Sequence, residues 1–87
     1  SPALKIITLL HELGAQVSYH DPHVPTLPEH NLTSTPLQDA LTDADLTIIV
    51  TAHPTIDHDQ IAHQARLLLD LRGTTRHTRT TSNVVKL

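Results

Sequence analysis

A helix signature stands at the very start of this chain, and the strands come only after it. Ser1-Pro2 has the N-cap-then-proline form of a helix entry, and Leu4, Ile7, Leu10 and Leu13 follow at helical spacing up to Gly14. Val17-Ser18-Tyr19-His20-Asp21-Pro22 and Ala44-Asp45-Leu46-Thr47-Ile48-Ile49-Val50-Thr51 then read as strands with turns. Units that alternate helix and strand normally open on a strand, and that strand is usually central. The expectation is therefore the middle and end of a doubly wound α/β unit whose first strand is missing, a piece of something larger. Ser rather than Met at position 1 points to the same processed or excised segment.

The rest of the chain keeps the alternation. Gly14 is expected to end the first helix in a left-handed conformation. Ala15 to His20 reads as a short strand stopped by Asp21-Pro22. His23 to Ser34, rich in proline, reads as a loop. Thr35-Pro36 repeats the helix entry and leads through Leu37, Ala40 and Leu41. Leu46 to Val50 is a continuous apolar run, as in a parallel strand covered on both faces. Asp57 is placed to cap a helix through Ile61, Ala62 and Ala65. Leu67-Leu68-Leu69 is the next strand, running into Asp70-Leu71-Arg72-Gly73. Thr74 to Ser82, with Arg76 and Arg79, reads as a polar loop, and Asn83 to Leu87 as a last strand. The fold class expected is α/β, a Rossmann-like three-layer sandwich with a mostly parallel sheet and its first, central strand absent. The strands at Val17 and Leu46 then lack the neighbour between them. That leaves a gap in the sheet, a rearranged pairing, or a partner chain in the vacant place.

Composition narrows the function. Eighty-seven residues make at most one small domain. Tyr19 is the only aromatic residue, so the core must come from Leu, Ile, Val and Ala. The net charge of −3 supplies no basic patch for nucleic acid. The absence of cysteine excludes a disulfide framework, a thiolate zinc site and a thiol nucleophile within these residues, and fits a cytoplasmic protein. No apolar run approaches the roughly 20 residues a membrane helix needs, and no secretory leader is recognisable.

Ligands of open α/β sheets bind beyond the carboxyl ends of the strands. Topology sends His20-Asp21-Pro22-His23, Thr51-Ala52-His53-Pro54 and Asp70-Leu71-Arg72-Gly73 to that rim. Arg72 stands out, because a guanidinium past a buried strand offers a planar fork to phosphate, carboxylate or a base edge. The alternatives are a salt bridge to Asp70 or Asp21, or plain solvation. The eight histidines do not read as a metal site. Pro22 stiffens the His20/His23 pair, and His58 and His63 point in separated directions on a helix. Asp43, Asp45, Asp57 and Asp59 stand where carboxylates cap helices and turns. No serine lies in a nucleophile elbow. Gly14 and Gly73 are the only glycines, so no phosphate-cradling loop is present.

The ordered set of segments resembles the C-terminal domain of the UDP-glucose/GDP-mannose dehydrogenases. It is similar in tone to bacterial members acting on UDP-N-acetylhexosamines or UDP-glucose. The matching stretches are Ser1 to Ile7, Leu13 to Pro25, Ala40 to His53, Leu69 to Gly73, and the closing Asn83 to Leu87. The resemblance implies that residues 1–87 are a C-terminal nucleotide-sugar-binding domain lacking its first strand. It also implies a partner set: the UDP-sugar, the remainder of the dehydrogenase chain and a second copy in a homo-oligomer. The family's NAD is bound mainly by an N-terminal domain. Its members oxidise the sugar's C6 alcohol to a uronate in two NAD-dependent steps through a catalytic cysteine, for polysaccharide biosynthesis. That cysteine lies upstream of this region in the family, so no catalytic residue and no turnover are expected here. Arg72 in Asp70-Leu71-Arg72 matches the family's Asp-x-Arg arginine, which contacts the uridine. The substrate-binding set expected is Arg72, Asp70, Asp21 and His53. His23, Thr55-Ile56 and Gly73 depart from the usual pattern and leave the sugar unassigned. The competing reading is a stand-alone, non-catalytic module that pairs its open sheet edge with a partner chain. A histidine-rich metal-binding domain is the third.

Overall fold

A computed structural model describes residues 2–75 and 82–86. Ser1 with its expected cap, the segment 76–81 with Arg76 and Arg79, and Leu87 lie outside the described residues. The backbone divides into two units, residues 1–40 and 41–87.

In the first unit, α1 runs from Pro2 to Glu12. Its end follows the expectation from Gly14, which sits at φ 86°. The Ala15 N–H donates to Leu10 O at 3.0 Å and the Gly14 N–H to His11 O at 2.9 Å. This pair of bonds is a Schellman termination, satisfying carbonyls that the helix leaves open. Ile7 is buried, Leu4 and Leu10 are half-buried, and Leu13 is 83% exposed beyond the helix end.

Ala15 to His20 forms no strand. A strand exists through its ladder, and no described residue pairs with this segment in one. Half-buried Val17 and Tyr19 still alternate with exposed Gln16 and Ser18. The far end is tied down locally, by Thr35 N–H to Tyr19 O at 2.7 Å and Asp21 N–H to Ser34 Oγ at 2.9 Å.

The expected loop from His23 to Ser34 instead holds a small hairpin. β1 (Thr26–Leu27) pairs antiparallel with β2 (Leu32–Thr33) around a 3₁₀ turn at Pro28–His30. Pro28 suits the turn's first position, and Asn31 closes it at φ 55°, a left-handed conformation that asparagine tolerates. Two-residue strands are too short to show an alternating pattern in sequence, so the prolines are the stronger signal there.

α2 (Leu37–Asp43) follows Thr35-Pro36. In the second unit, β3 (Thr47–Ile49), α3 (His58–Gln64), β4 (Leu68–Asp70) and β5 (Val84–Lys86) follow. The three strands form a parallel sheet in the order β3-β4-β5. Its registers are Ile49 with Asp70 and Asp70 with Lys86 at the carboxyl end. The α/β class with a parallel sheet and helical connections is as expected. The core of this unit is Leu41, Ile49, Ile61, Ala62, Ala65 and Leu68, aliphatic throughout as the composition requires. Asp57 caps α3, its Oδ1 accepting the Gln60 N–H at 3.1 Å. Asn83 holds the other end, its Nδ2 donating to Ala62 O at 2.7 Å and Ala65 O at 2.9 Å.

Candidate nucleotide-binding site at the end of β4

β3 and β4 are hydrogen-bonded neighbours whose carboxyl ends coincide. Ile49 stands beside Asp70, and the Leu71 N–H donates to Ile49 O at 3.2 Å. The segments Val50–Pro54 and Leu71–Thr75 therefore leave the sheet from adjacent positions. Of the expected site residues, this brings His53, Asp70 and Arg72 to one edge. His53 is half-buried there, Asp70 is buried and Arg72 is exposed.

Asp70 is the last residue of β4 and is 0% exposed. An unpaired carboxylate buried this way is costly, and the chain answers with donors from the following turn. Oδ1 accepts the Arg72 N–H at 3.0 Å and the Thr74 hydroxyl at 3.4 Å. Oδ2 accepts the Thr75 N–H at 2.9 Å and the Thr75 hydroxyl at 2.6 Å. Burial pushes the Asp70 pKa up, but the hydrogen bonds from Thr75, Arg72 and Thr74 outweigh it and hold the group at about 2. Asp70 is thus ionised at neutral pH and turned inward.

Arg72 has its backbone fixed and its head group open. Its contact with Asp70 runs through the main-chain N–H. The described residues give the guanidinium no hydrogen-bond or ion-pair partner. Among the described residues, Arg66 forms an ion pair, at 3.3 Å from Asp45 on the surface, with a further bond to Thr42 O at 3.3 Å. Gly73, next to Arg72, sits at φ 70°, where a side chain is strained.

Asp21 belongs to the first unit. Its Oδ1 accepts the His23 N–H at 2.8 Å, and its carbonyl accepts the Val24 N–H at 3.1 Å. These bonds shape its own turn. Beside it, the Tyr19 hydroxyl donates to Val24 O at 2.6 Å. Burial first, and the negative charge of Asp21 second, raise the Tyr19 pKa. A groove of about 490 Å³ along α1 is lined by Leu4, Lys5, Thr8, Leu9, Glu29 and His30. No group of three or more His, Asp or Glu side chains among the described residues gathers to hold a metal.

Sequence reasoning missed Thr75. It lay inside a stretch read as polar loop, yet it is 0% exposed and supplies two of the Asp70 hydrogen bonds. The available signal was a hydroxyl residue a few positions after a carboxylate that ends a buried strand.

The described residues form a parallel β3-β4-β5 sheet with β3 and β4 joined through α3, an arrangement compatible with a Rossmann-like α/β domain. Residues 1–77 match the family described as UDP-glucose/GDP-mannose dehydrogenase family, UDP binding domain. The chain belongs to that family. No curated protein and no solved structure matches it. No helix among the described residues is long and apolar enough to cross a membrane.

Proposed function

We propose that residues 1–87 are the C-terminal nucleotide-sugar-binding domain, without its first strand, of an NAD-dependent UDP-sugar 6-dehydrogenase. The enzyme oxidises the C6 alcohol of a UDP-hexose or UDP-N-acetylhexosamine to the uronate, in the cytoplasm of a bacterium and as a homo-oligomer. The observation that carries this reading is the family match over residues 1–77, and the exposed side chain of Arg72 past β4 supports it.

The chemistry of these residues is binding. Arg72 holds the uridine end of the substrate, with His53 as a further contact. Asp70 keeps the arginine's backbone in place. NAD does not fit these residues, since Gly14 and Gly73 are far apart in the chain and form no glycine-rich turn. No redox step is assigned to them.

The test is a calorimetric UDP titration of the chain and of Arg72→Ala. A charged hydrogen bond of ~1.5–3 kcal/mol predicts a Kd about 10- to 100-fold weaker in the variant. Arg72→Lys should recover only part of the loss, because an ammonium lacks the fork. An unchanged Kd in Arg72→Ala removes Arg72 from the site.

A second reading draws on β3, which among the described residues is paired on one side only. An open edge recruits strands, so the chain would act as a module completed by a partner strand. Sedimentation of the chain separates the readings. A concentration-dependent dimer that does not bind UDP favours the module.

A further inference from the structure

We propose that Thr75, acting through Asp70, is a positioning residue for Arg72: a buried carboxylate–hydroxyl clamp fixes the turn that presents the guanidinium. The proposal rests on the reading of Arg72 as a nucleotide contact.

Thr75 cannot touch a ligand, because it is 0% exposed, as is Asp70. Its hydroxyl and its N–H both donate to Asp70 Oδ2, at 2.6 and 2.9 Å. The other carboxylate oxygen takes the Arg72 N–H at 3.0 Å. One rigid carboxylate therefore joins the two ends of a tight turn, and Arg72 is on it. Gly73, between them, is left-handed at φ 70°, and no atom within 4 Å would meet a Cβ there. The glycine is thus required by backbone conformation and not by crowding. The side chains of Asp70 and Thr75 point into the protein, while that of Arg72 is exposed. A guanidinium whose main chain is held before the ligand arrives loses less freedom on binding.

The residue types are specific to this role. Serine at position 75 keeps the hydroxyl. Valine keeps the shape and leaves Asp70 Oδ2 short of a donor. Asparagine at position 70 would set an amide N–H₂ or a weaker acceptor against the Thr75 donors.

The experiment compares Thr75→Val and Thr75→Ser, each with and without Arg72→Ala, in UDP titrations and thermal melts of the chain. Amide hydrogen exchange at Arg72 is followed in parallel. Thr75→Val should weaken UDP about tenfold, and Thr75→Ser should stay within about twofold. In the Arg72→Ala background Thr75→Val should leave UDP affinity unchanged while lowering Tm as much as it does in the parent. Equal weakening in both backgrounds overturns the proposal, as does full affinity in a folded Thr75→Val. If Thr75→Val does not fold, Gly73→Ala strains the same turn with the clamp's partners in place. It too should weaken UDP only when Arg72 is present, and an effect independent of Arg72 overturns the proposal. If the parent chain binds no UDP, the nucleotide reading fails, and exchange judges the clamp alone. Faster exchange of the Arg72 amide in Thr75→Val but not in Thr75→Ser supports it, and unaltered exchange overturns it.

Discussion

Two side chains carry the sharpest residue-level consequences. Asp70 has a folded pKa of about 2 against an ordinary 3.8. A carboxylate depressed in the folded state stabilises it above the unfolded pKa and loses that contribution as pH falls through the folded value. Acid should therefore weaken the second unit between about pH 4 and pH 2, by roughly 2 kcal/mol. Acid titration followed by circular dichroism checks this. Asp70→Asn should be less stable at neutral pH and should lose that part of the acid dependence. Tyr19 gives the complementary case. Burial and the Asp21 charge disfavour its phenolate, so its proton leaves only above the ordinary value of 10.0. Tyr19 is the only aromatic residue, so ultraviolet titration reads this one group, and a midpoint at or below the ordinary value would refute the assignment. Arg72 and Asp70 were both legible as residues of interest from their place after a strand. Their division of labour was not, because a carboxylate that grips its own turn and one that faces a ligand have the same spacing in sequence.

At the scale of elements, helix ends decide how well the short helices hold. α3 has seven residues, too few to be stable by propensity. Its ends are closed by Asp57 and by Asn83, a residue from the start of the last strand segment. Asp57→Ala should cost about 1 kcal/mol. Asn83→Ala leaves two carbonyls near the helix end without their donor and should cost about 1–3 kcal/mol, measured by urea unfolding. Asn83→Asp should be worse, since it sets a carboxylate against two acceptors. The first end was written in sequence, as an aspartate just before an apolar helical pattern. The second was not, because it joins residues about twenty positions apart and only folding brings them together. The same limit applies to Ala15–His20. Half-buried Val17 and Tyr19 alternate there with exposed Gln16 and Ser18, but strand status depends on a neighbour that the segment does not itself encode. In contrast, β3 and β4 were legible as runs of aliphatic residues bounded by turns, and their parallel pairing follows from the helix between them.

For the molecule as a whole, the scarcity of large side chains is the governing fact. The chain has no Phe, Trp, Met or Cys, so buried aliphatic residues carry nearly all the apolar burial. Stability of about 0.05–0.15 kcal/mol per residue gives a chain of this length roughly 4–13 kcal/mol in total. Leu68 is 0% exposed and lies on the central strand of the β3-β4-β5 sheet. Truncating such a leucine costs about 2–5 kcal/mol, the transfer term plus the cavity left behind. For this chain that is a large share of everything available. Leu68→Ala should therefore remove the protection of the Thr47, Leu68 and Leu71 amides, whose bonds to Leu67, Asn83 and Ile49 hold the three strands together. Ile49→Val, costing about 0.5–1.5 kcal/mol, should thin that protection without abolishing it. Leu13→Ala, at a site 83% exposed, should shift stability by less than about 0.5 kcal/mol. Hydrogen exchange on the three variants gives the order directly. If Leu68→Ala kept its protected amides while Leu13→Ala lost them, the aliphatic core of the second unit would not be what holds its sheet, and the position of Arg72 would need another support.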